Sequence, residues 1–275
     1  MKKIITHTNP DLDALAAVWV LKRFLIGWEE AEIGFAVAEG KVSQDDPETL
    51  YTDIGRGRLD HHQSKARSSA TKKCFAFILR QRRNQPLGKL DQLALRRLVD
   101  LVTEIDNAGD MFWEEAKADR YLLYVHQIVD GLRRLEKTDR EVADLGFIFL
   151  DTIFQNIKNK IRAEEELEKG VIFKSRWGKA IGVESGNRQI LWFGEVAGFA
   201  LVVTKDPEQG GVKIYARPDS KVDLSDTSKR LRILDPDSDW FLHASKRLLL
   251  NQSSVNPNLR PTKLSLKEVI EVLQK

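Results

Sequence analysis

Four pieces of this chain carry residue types suited to hydrolytic metal chemistry: His7-Thr8-Asn9-Pro10-Asp11-Leu12-Asp13, Asp53, Asp60-His61-His62 and Ile105-Asp106-Asn107. Imidazoles and carboxylates suit divalent ions such as manganese or magnesium, and several carboxylates together neutralise two of them. In two-metal hydrolysis the ions sit about 3.5–4 Å apart, activate water and stabilise charge on the phosphoryl oxygens. Such a site needs a carboxylate shared by both ions, and Asp53 is the candidate. The first piece is mechanically apt. His7 ends a strand, Asp11 lies in the turn, and Asp13 points from the first turn of a helix, so three ligands converge locally. Each residue also has a plainer role open to it: Asp11 and Asp13 as acids at a helix N-terminus, His7 as a structural strand-end residue, Asp53 and Asp106 as turn and loop residues. The joint pattern separates the readings, because three of the five histidines fall in two of these pieces, beside carboxylates and at expected strand ends.

The elements that must position them are legible in part. Lys3-Ile4-Ile5-Thr6 predicts a strand, and Asn9-Pro10 a helix cap followed by a favoured first helical position. Leu12, Leu15, Ala16, Trp19 and Val20 recur at helical spacing and predict a helix with one apolar face. Glu32–Val37 and Leu50–Gly55 are further expected strands. Strand-helix-strand alternation implies a parallel α/β sheet whose carboxyl-end loops form a crevice, and His7, Asp53 and Asp60-His61-His62 all fall on such loops. Residues 88–169 read as mainly helical, with an amphipathic stretch over Leu90–Ile105 and a helical pattern over Arg140–Leu167 whose end, Arg162–Lys169, is charged. After Gly170, strands are expected at Lys179–Val183, Ile190–Phe193, Phe199–Val203 and Val212–Ala216, with a turn over Asp206–Gly211 and a closing helix over Ser265–Leu273 capped by Ser265 and Glu268. The expected layout is a parallel-sheet catalytic domain over residues 1–135, then a connecting helix and a smaller α+β substrate-binding domain over 136–275.

Composition narrows the function classes. The chain has 275 residues, 42% hydrophobic and 31% charged, with a formal net charge of +3. That balance is compatible with a phosphate-bearing substrate and lacks the basic stripe of a long-duplex binder. The longest early apolar stretch, Leu12–Phe24, is too short for a membrane span and is broken by Asp13, Lys22 and Arg23. The start also lacks a secretory core, so a cytoplasmic protein away from membranes is expected. The single Cys74 sits in an apolar run and is expected to pack rather than react. His126 lies in an apolar helical pattern and is expected to be packed or solvated. Arg80, Arg82, Arg83, Arg96, Arg97, Arg133 and Arg134 are expected on solvated helix faces.

The ordered set His-x-Asn-Pro-Asp-x-Asp, then Asp, then Asp-His-His, then a later Asp resembles the DHH phosphoesterase superfamily over about the first 110 residues. Glu104-Ile105-Asp106-Asn107 and Phe241-Leu242-His243-Ala244-Ser245 are similar to segments of its melanocyte-proliferating-gene exonuclease branch. Lys246-Arg247-Leu248 replaces the glycine-bearing run of that branch, and the glycine-rich Gly-Gly-Gly-His of the usual second domain is absent. The resemblance implies an α/β DHH domain holding two Mn²⁺ or Mg²⁺ ions. His7 and Asp11 would hold one ion, Asp13, His61 and Asp106 the other, and Asp53 both. His62 would face the substrate phosphate, and Asp60 would orient a ligand. Asn9 would contact a phosphoryl oxygen or cap the helix. His243, Ser245, Lys246 and Arg217 are candidate substrate contacts. The implied activity is phosphodiester hydrolysis of short oligonucleotides or dinucleotides, the partner being a phosphate-ester small molecule or a short single-stranded nucleic acid. An inorganic pyrophosphatase or other small-phosphate hydrolase and a non-catalytic metal-binding regulator are the alternatives, and a homodimer is compatible with all three.

Overall fold

Short β-rich runs alternating with an apolar helix produce a wholly parallel sheet in the first of two compact units, Met1–Lys158 and Asn159–Lys275. The computed structural model describes residues 1–37, 46–252 and 258–275. In the first unit β1 (Lys3–His7) lies between β2 (Glu32–Ala36) and β3 (Thr49–Tyr51). Ile4 is in register with both Ile33 and Leu50. Because both pairings are parallel, the three carboxyl ends emerge at one edge, and His7 and the residues after Tyr51 leave the sheet together.

Helix α1 (Leu12–Phe24) follows β1 and differs from its expected amphipathic form, since every residue from Leu12 to Leu21 is buried. The physical reason is the run of Ala14, Ala16, Ala17 and Val18, which leaves no polar face for water, and a helix apolar all round belongs inside. It is packed by β1 and by α2 (Ala70–Gln81) and α3 (Lys89–Asp106). Two short 3-10 turns, Gly109–Phe112 and Asp119–Leu123, then lead to α4 (Val125–Arg134) and α5 (Asp139–Glu168). Trp19 donates to Asp151 of α5 at 2.9 Å and meets Phe24 and Phe154 edge-to-face. Cys74 is fully buried beside Thr52, and desolvation drives its thiol pKa far up, as a packing residue requires. The strand expected over Glu32–Val37 ends one residue earlier, at Ala36.

The second unit carries a mixed sheet in the order β4-β5-β6-β7-β9-β8. Its strands are β4 (Val171–Ser175), β5 (Gly178–Glu184), β6 (Leu201–Lys205), β7 (Val212–Ala216), β8 (Phe241–Leu242) and β9 (Leu248–Leu250). Alternation sets its two faces. Leu201 and Val203 join one core with Val269 and Leu273, while Val202 between them joins another with Ile190 and Ala163. The β6–β7 hairpin turns over Asp206–Gly211, and α8 (Leu266–Gln274) begins with the Ser265–Glu268 capping box, both as expected. The chain is thus α/β with a parallel sheet followed by an α+β unit. Among the described residues no helix is long and apolar enough to cross a membrane.

Two expected strands are corrected. Ile190–Phe193 is part of helix α6 (Gln189–Val196). Asn187 starts it by accepting from the Gln189 N–H at 3.0 Å, and Gly194 lets it lie on β6, since a Cβ there would meet Val202 at 2.5 Å. Leu50–Gly55 pairs only through Tyr51, because Asp53, Gly55 and Arg56 all have φ between 52 and 77° and turn the chain out of the sheet. The expected reading also lacked β4, β8, β9 and helix α7 (Ser225–Leu234).

Candidate metal centre

Asp11, rather than Asn9, caps α1, accepting from the Ala14 N–H at 2.9 Å. Asn9 has φ 52° and donates its own N–H to Asp139 at 3.0 Å, which shapes the turn. Asp13 is 2% exposed, and both of its oxygens are fixed by the start of α2, accepting from Ala70 N at 2.7 Å and Thr71 N at 3.0 Å. Ser69 caps the same helix and bonds Thr103 of α3 at 2.9 Å. Asn107, at the end of α3, donates to the carbonyls of Thr103 at 2.8 Å and Ser68 at 2.9 Å, and this holds the neighbouring Asp106 against the same loop. These contacts bring residues far apart in the chain to one edge of the sheet.

Asp53 sits at the middle of the cluster, 2% exposed, with φ 58°. Its Oδ2 lies 3.3 Å from His7 Nε2, and that nitrogen is 4.0 Å from Asp11 Oδ1. Its Oδ1 lies 3.4 Å from His61 Nε2, which is itself 3.6 Å from both Asp13 and Asp106. The six side chains therefore form two donor groups, His7-Asp11-Asp53 and Asp13-His61-Asp106, with the two oxygens of Asp53 directed to different groups. His62 and Asp60 stand beside them. His62 Nδ1 lies 2.8 Å from Asp60 Oδ1 and 3.5 Å from Asp53 Oδ1. Asp60 also accepts from the N–H groups of Arg56 at 2.6 Å and His62 at 3.0 Å. Its carboxylate thus orients His62, not His61. A cavity of about 370 Å³ opens here, lined by His7, Asp11, Asp53, Arg56, Asp60 and His62.

The donor set fits divalent cations on two observations. Asp53 Oδ1 is buried without a hydrogen-bond partner, which is costly unless a positive charge faces it. His7 Nδ1 lies 2.8 Å from the Thr8 carbonyl, which can only accept. That bond assigns the proton to Nδ1 and leaves Nε2 to face the Asp53 carboxylate, the arrangement of a metal-ligating histidine.

Without metal, protons must balance these charges. Burial opposes a charge on His7, but the facing Asp53, the Thr8 carbonyl and Asp11 outweigh it and raise its pKa to about 9. The Asp53 carboxylate likewise raises His61 to about 9. Burial would raise Asp53, yet His61 and His7 hold it down to about 2. Burial, then the Asp53 charge, lifts Asp13 to about 6, and burial with Asp13 lifts Asp106 to about 7. The signs follow by linkage. The raised histidines contribute stability that is full below 6.5 and lost as pH rises through about 9. The raised carboxyls contribute stability that is full below 3.8 and lost as pH rises through about 6 to 7. Asp53 contributes above 3.8, and this is lost as pH falls through about 2. The metal-free protein is therefore expected to lose stability from mildly acidic to alkaline pH, and the thermal shift from saturating Mn²⁺ should grow over that window. Differential scanning fluorimetry across the range tests this, and a shift that is flat or shrinks with pH contradicts it.

The remaining expected contacts lie on exposed loops of the second unit. Arg217 pairs with Asp219 at 2.6 Å, and Lys246, at φ 60°, pairs with Asp223 at 3.1 Å. His243 Nδ1 lies 2.9 Å from Ser245 Oγ. The first-unit site also uses groups that motif reading passed over: the Ala70 and Thr71 amides that fix Asp13, and Lys73, which donates to the Asp60 carbonyl at 2.5 Å. Ser69 before a run containing Cys74, Phe75 and Ile78 was the available signal for the start of α2.

No family model matches the sequence, and no curated protein matches it. Among solved structures, the chain is similar over 100% of its length to an uncharacterized protein from Helicobacter pylori G27, at 14% identity, 99% coverage of that chain and a TM-score of 0.29. It is similar over 99% of its length to RecJ in complex with Mg²⁺ from Thermus thermophilus, at 13% identity and a TM-score of 0.33, and spans 49% of that chain. A third likeness is to exonuclease RecJ bound to manganese, at 10% identity and a TM-score of 0.33, over 99% of this chain and 89% of that one.

Proposed function

We propose that this chain is a divalent-metal-dependent phosphoesterase that hydrolyses phosphodiester bonds of short oligonucleotides or dinucleotides. The observation that carries the reading is the position of Asp53 between the His7-Asp11 and Asp13-His61-Asp106 groups, one oxygen toward each histidine. His7, Asp11 and Asp53 would hold one ion, and Asp13, His61, Asp106 and Asp53 the other, Mn²⁺ or Mg²⁺. Bound there, the ions supply Lewis acidity toward phosphoryl oxygens and lower the pKa of water. The order of the sequence motifs, which resembles the DHH phosphoesterases, supports the same reading.

His62 supplies the proton chemistry in this proposal. Its Nδ1–H donates to Asp60, so Nε2 is the free nitrogen of a half-exposed ring at the mouth of the site. In the protonated ring that nitrogen donates to a phosphoryl or leaving oxygen; in the neutral ring it accepts. Removing one such group typically costs 10²–10⁴-fold. His62→Ala is expected to lower kcat by about 10²-fold or more, with metal content unchanged. Asp60→Asn should lower it less, since it keeps a hydrogen bond to the ring. Wild-type kcat in a folded His62→Ala protein removes this role.

Substrate contacts from the second unit are part of the proposal. Ala216 N donates to Arg247 O at 2.9 Å and Arg247 Nε to Ser220 O at 2.8 Å, so the loops bearing Arg217 and Lys246 lie together, and His243 and Ser245 precede Lys246 by one to three positions. These are suited to a distal phosphate. The purified protein with Mn²⁺ should cleave dinucleotides, short RNA or short DNA in preference to pyrophosphate. If no phosphate ester is cleaved with any divalent ion, the reading fails; preferential cleavage of pyrophosphate keeps the metal chemistry and replaces the substrate class.

A further inference from the structure

A second cavity, of about 270 Å³, lies in the first unit, and its walls include Leu12, Leu101, Ile105, Trp113, Tyr124 and Leu150. The surface that borders it is apolar too. We propose that this surface is the interface of a homodimer, in which Phe112 of each copy fills the cavity of the other. The inference is independent of the metal centre and of any substrate.

Four large apolar side chains of one short stretch stand in water. Leu122, Met111, Leu123 and Phe112 are 61, 70, 79 and 89% exposed. Phe112 is joined to Trp113, and Leu122 and Leu123 lie between Tyr121 and Tyr124. Those three rings pack at centroid distances of 5.2 to 5.5 Å, so the exposed residues border the cavity that Trp113 and Tyr124 line. With the half-exposed Tyr124 and Leu101 they leave on the order of 700 Å² in water, at about 150–250 Å² for a large side chain. The largest apolar patch of a typical monomer is about 300–600 Å², and a standard interface takes about 800 Å² from each partner. The area therefore exceeds what a lone chain normally keeps wet and fits a second copy.

Shape selects the occupant. A dry cavity of about 150 Å³ takes benzene, so one of about 270 Å³ holds a phenylalanine ring with room for a flanking leucine. The wall is firm, because the Trp113 indole N–H donates to Glu104 at 2.8 Å. Phe112 ends the 3-10 turn Gly109–Phe112 immediately before it. Knob and hole thus belong to one patch, the condition for a two-fold contact in which each copy supplies what the other lacks. The rim is polar and of mixed sign. Glu114, Glu115, Lys117, Asp119 and Arg120 fall between the apolar residues, with Arg120 paired to Glu115 at 2.6 Å. Such a rim meets its own image without opposing blocks of like charge, and an aromatic centre within a polar rim is the usual build of an interface. Periodicity does not reveal this patch, because it lies on two 3-10 turns rather than on one helix face.

The test is sedimentation velocity of the full chain over a wide concentration range. A monomer–dimer equilibrium is expected, with a Kd of about 10 µM or tighter, the weak end for such an area. Phe112→Ser, at a position that the fold does not bury, should weaken association at least about thirtyfold, as for a central anchor. Leu101→Trp, at a half-exposed wall position, should weaken it at least about tenfold by filling the hole. Ile233→Ser, at a residue 78% exposed on α7 of the second unit, should leave the Kd unchanged. Hydrogen–deuterium exchange on the unaltered chain supplies a readout independent of variants, since exchange over residues 109–125 should slow as concentration rises. A chain that stays monomeric at about 100 µM, ten times that Kd, overturns the proposal. So does a dimer indifferent to Phe112→Ser, one weakened as much by Ile233→Ser, or protection confined to other segments.

Discussion

Asp53→Asn is expected to lower turnover on the order of 10⁴-fold, as for removal of a member of a catalytic unit, and to reduce the number of Mn²⁺ ions bound while the fold persists. The asparagine keeps the shape and also the backbone. Asp53 has φ 58°, a conformation that asparagine and aspartate tolerate better than most residues. Asp53→Ala should be equally inactive and less stable, since a left-handed alanine costs about 1–2 kcal/mol. The change also tests the electrostatics. With the central charge gone, the pKa of about 9 at His7 and at His61 should fall. Isothermal titration with Mn²⁺, thermal melts and steady-state rates on the two variants give the result. A folded Asp53→Asn protein with near-wild-type turnover would falsify the assignment of Asp53 to the centre.

How much of this centre was legible beforehand depends on how each residue is positioned. His7 and Asp11 are read from local grammar: a β-rich run, a turn with proline and a helix start follow one another directly, and the structure keeps that order. Asp60 and His61 are read from their clustering. The tertiary supports were hidden. Asp13 looks like an ordinary first-turn acid, yet its oxygens hold the amides of Ala70 and Thr71, 57 and 58 positions away. Asp106 lies in a helix that periodicity identifies, but its aim depends on Asn107 gripping the Ser68 carbonyl. Neither contact has a periodic signature, because a side chain capping another element leaves no mark in its own. The same limit explains the fold errors. Ile190–Phe193 is apolar enough for strand or helix, and Asn187 with Gly194 decided between them through contacts to Gln189 and Val202.

The left-handed residues show how chemistry and fold compete at the crevice. Asp53, Gly55 and Arg56 interrupt a run that reads as a strand, and each positive φ at a non-glycine residue is unfavourable in isolation. What the turn achieves is visible in its contacts. The Arg56 amide reaches Asp60 at 2.6 Å, and Asp60 in turn holds His62 at 2.8 Å. A continued strand would have sent alternate side chains to opposite faces, and Asp53 could not then have addressed His7 and His61 together. Local strain is offset by a network of charged hydrogen bonds, each stronger than its neutral counterpart.

Asp13 is the residue at which removing chemistry and removing stability cannot be the same experiment, so two variants are needed. Asp13→Ala strips two acceptors from buried amides at the start of α2, Ala70 at 2.7 Å and Thr71 at 3.0 Å. Hydrogen bonds to a charged group contribute about 1.5–3 kcal/mol each, and unsatisfied donors add their own cost, so a loss of about 3 kcal/mol or more is expected. Asp13→Asn retains an acceptor oxygen and the side-chain volume, and should cost much less. Both should lose turnover to a similar degree, since each removes the carboxylate that faces His61 at 3.6 Å. The sign of the pH dependence separates the roles further. The Asp13 carboxyl has its pKa raised to about 6, so in metal-free wild type its contribution is full below 3.8 and lost as pH rises through about 6. Asn, permanently neutral, should therefore gain on wild type above that pH in EDTA. Added Mn²⁺ should reverse the order, stabilising wild type and leaving Asp13→Asn nearly unmoved. Denaturant melts at acidic and alkaline pH, with and without Mn²⁺, read all of these differences. An Asp13→Asn protein that gains as much from Mn²⁺ as wild type would show that Asp13 serves α2 alone.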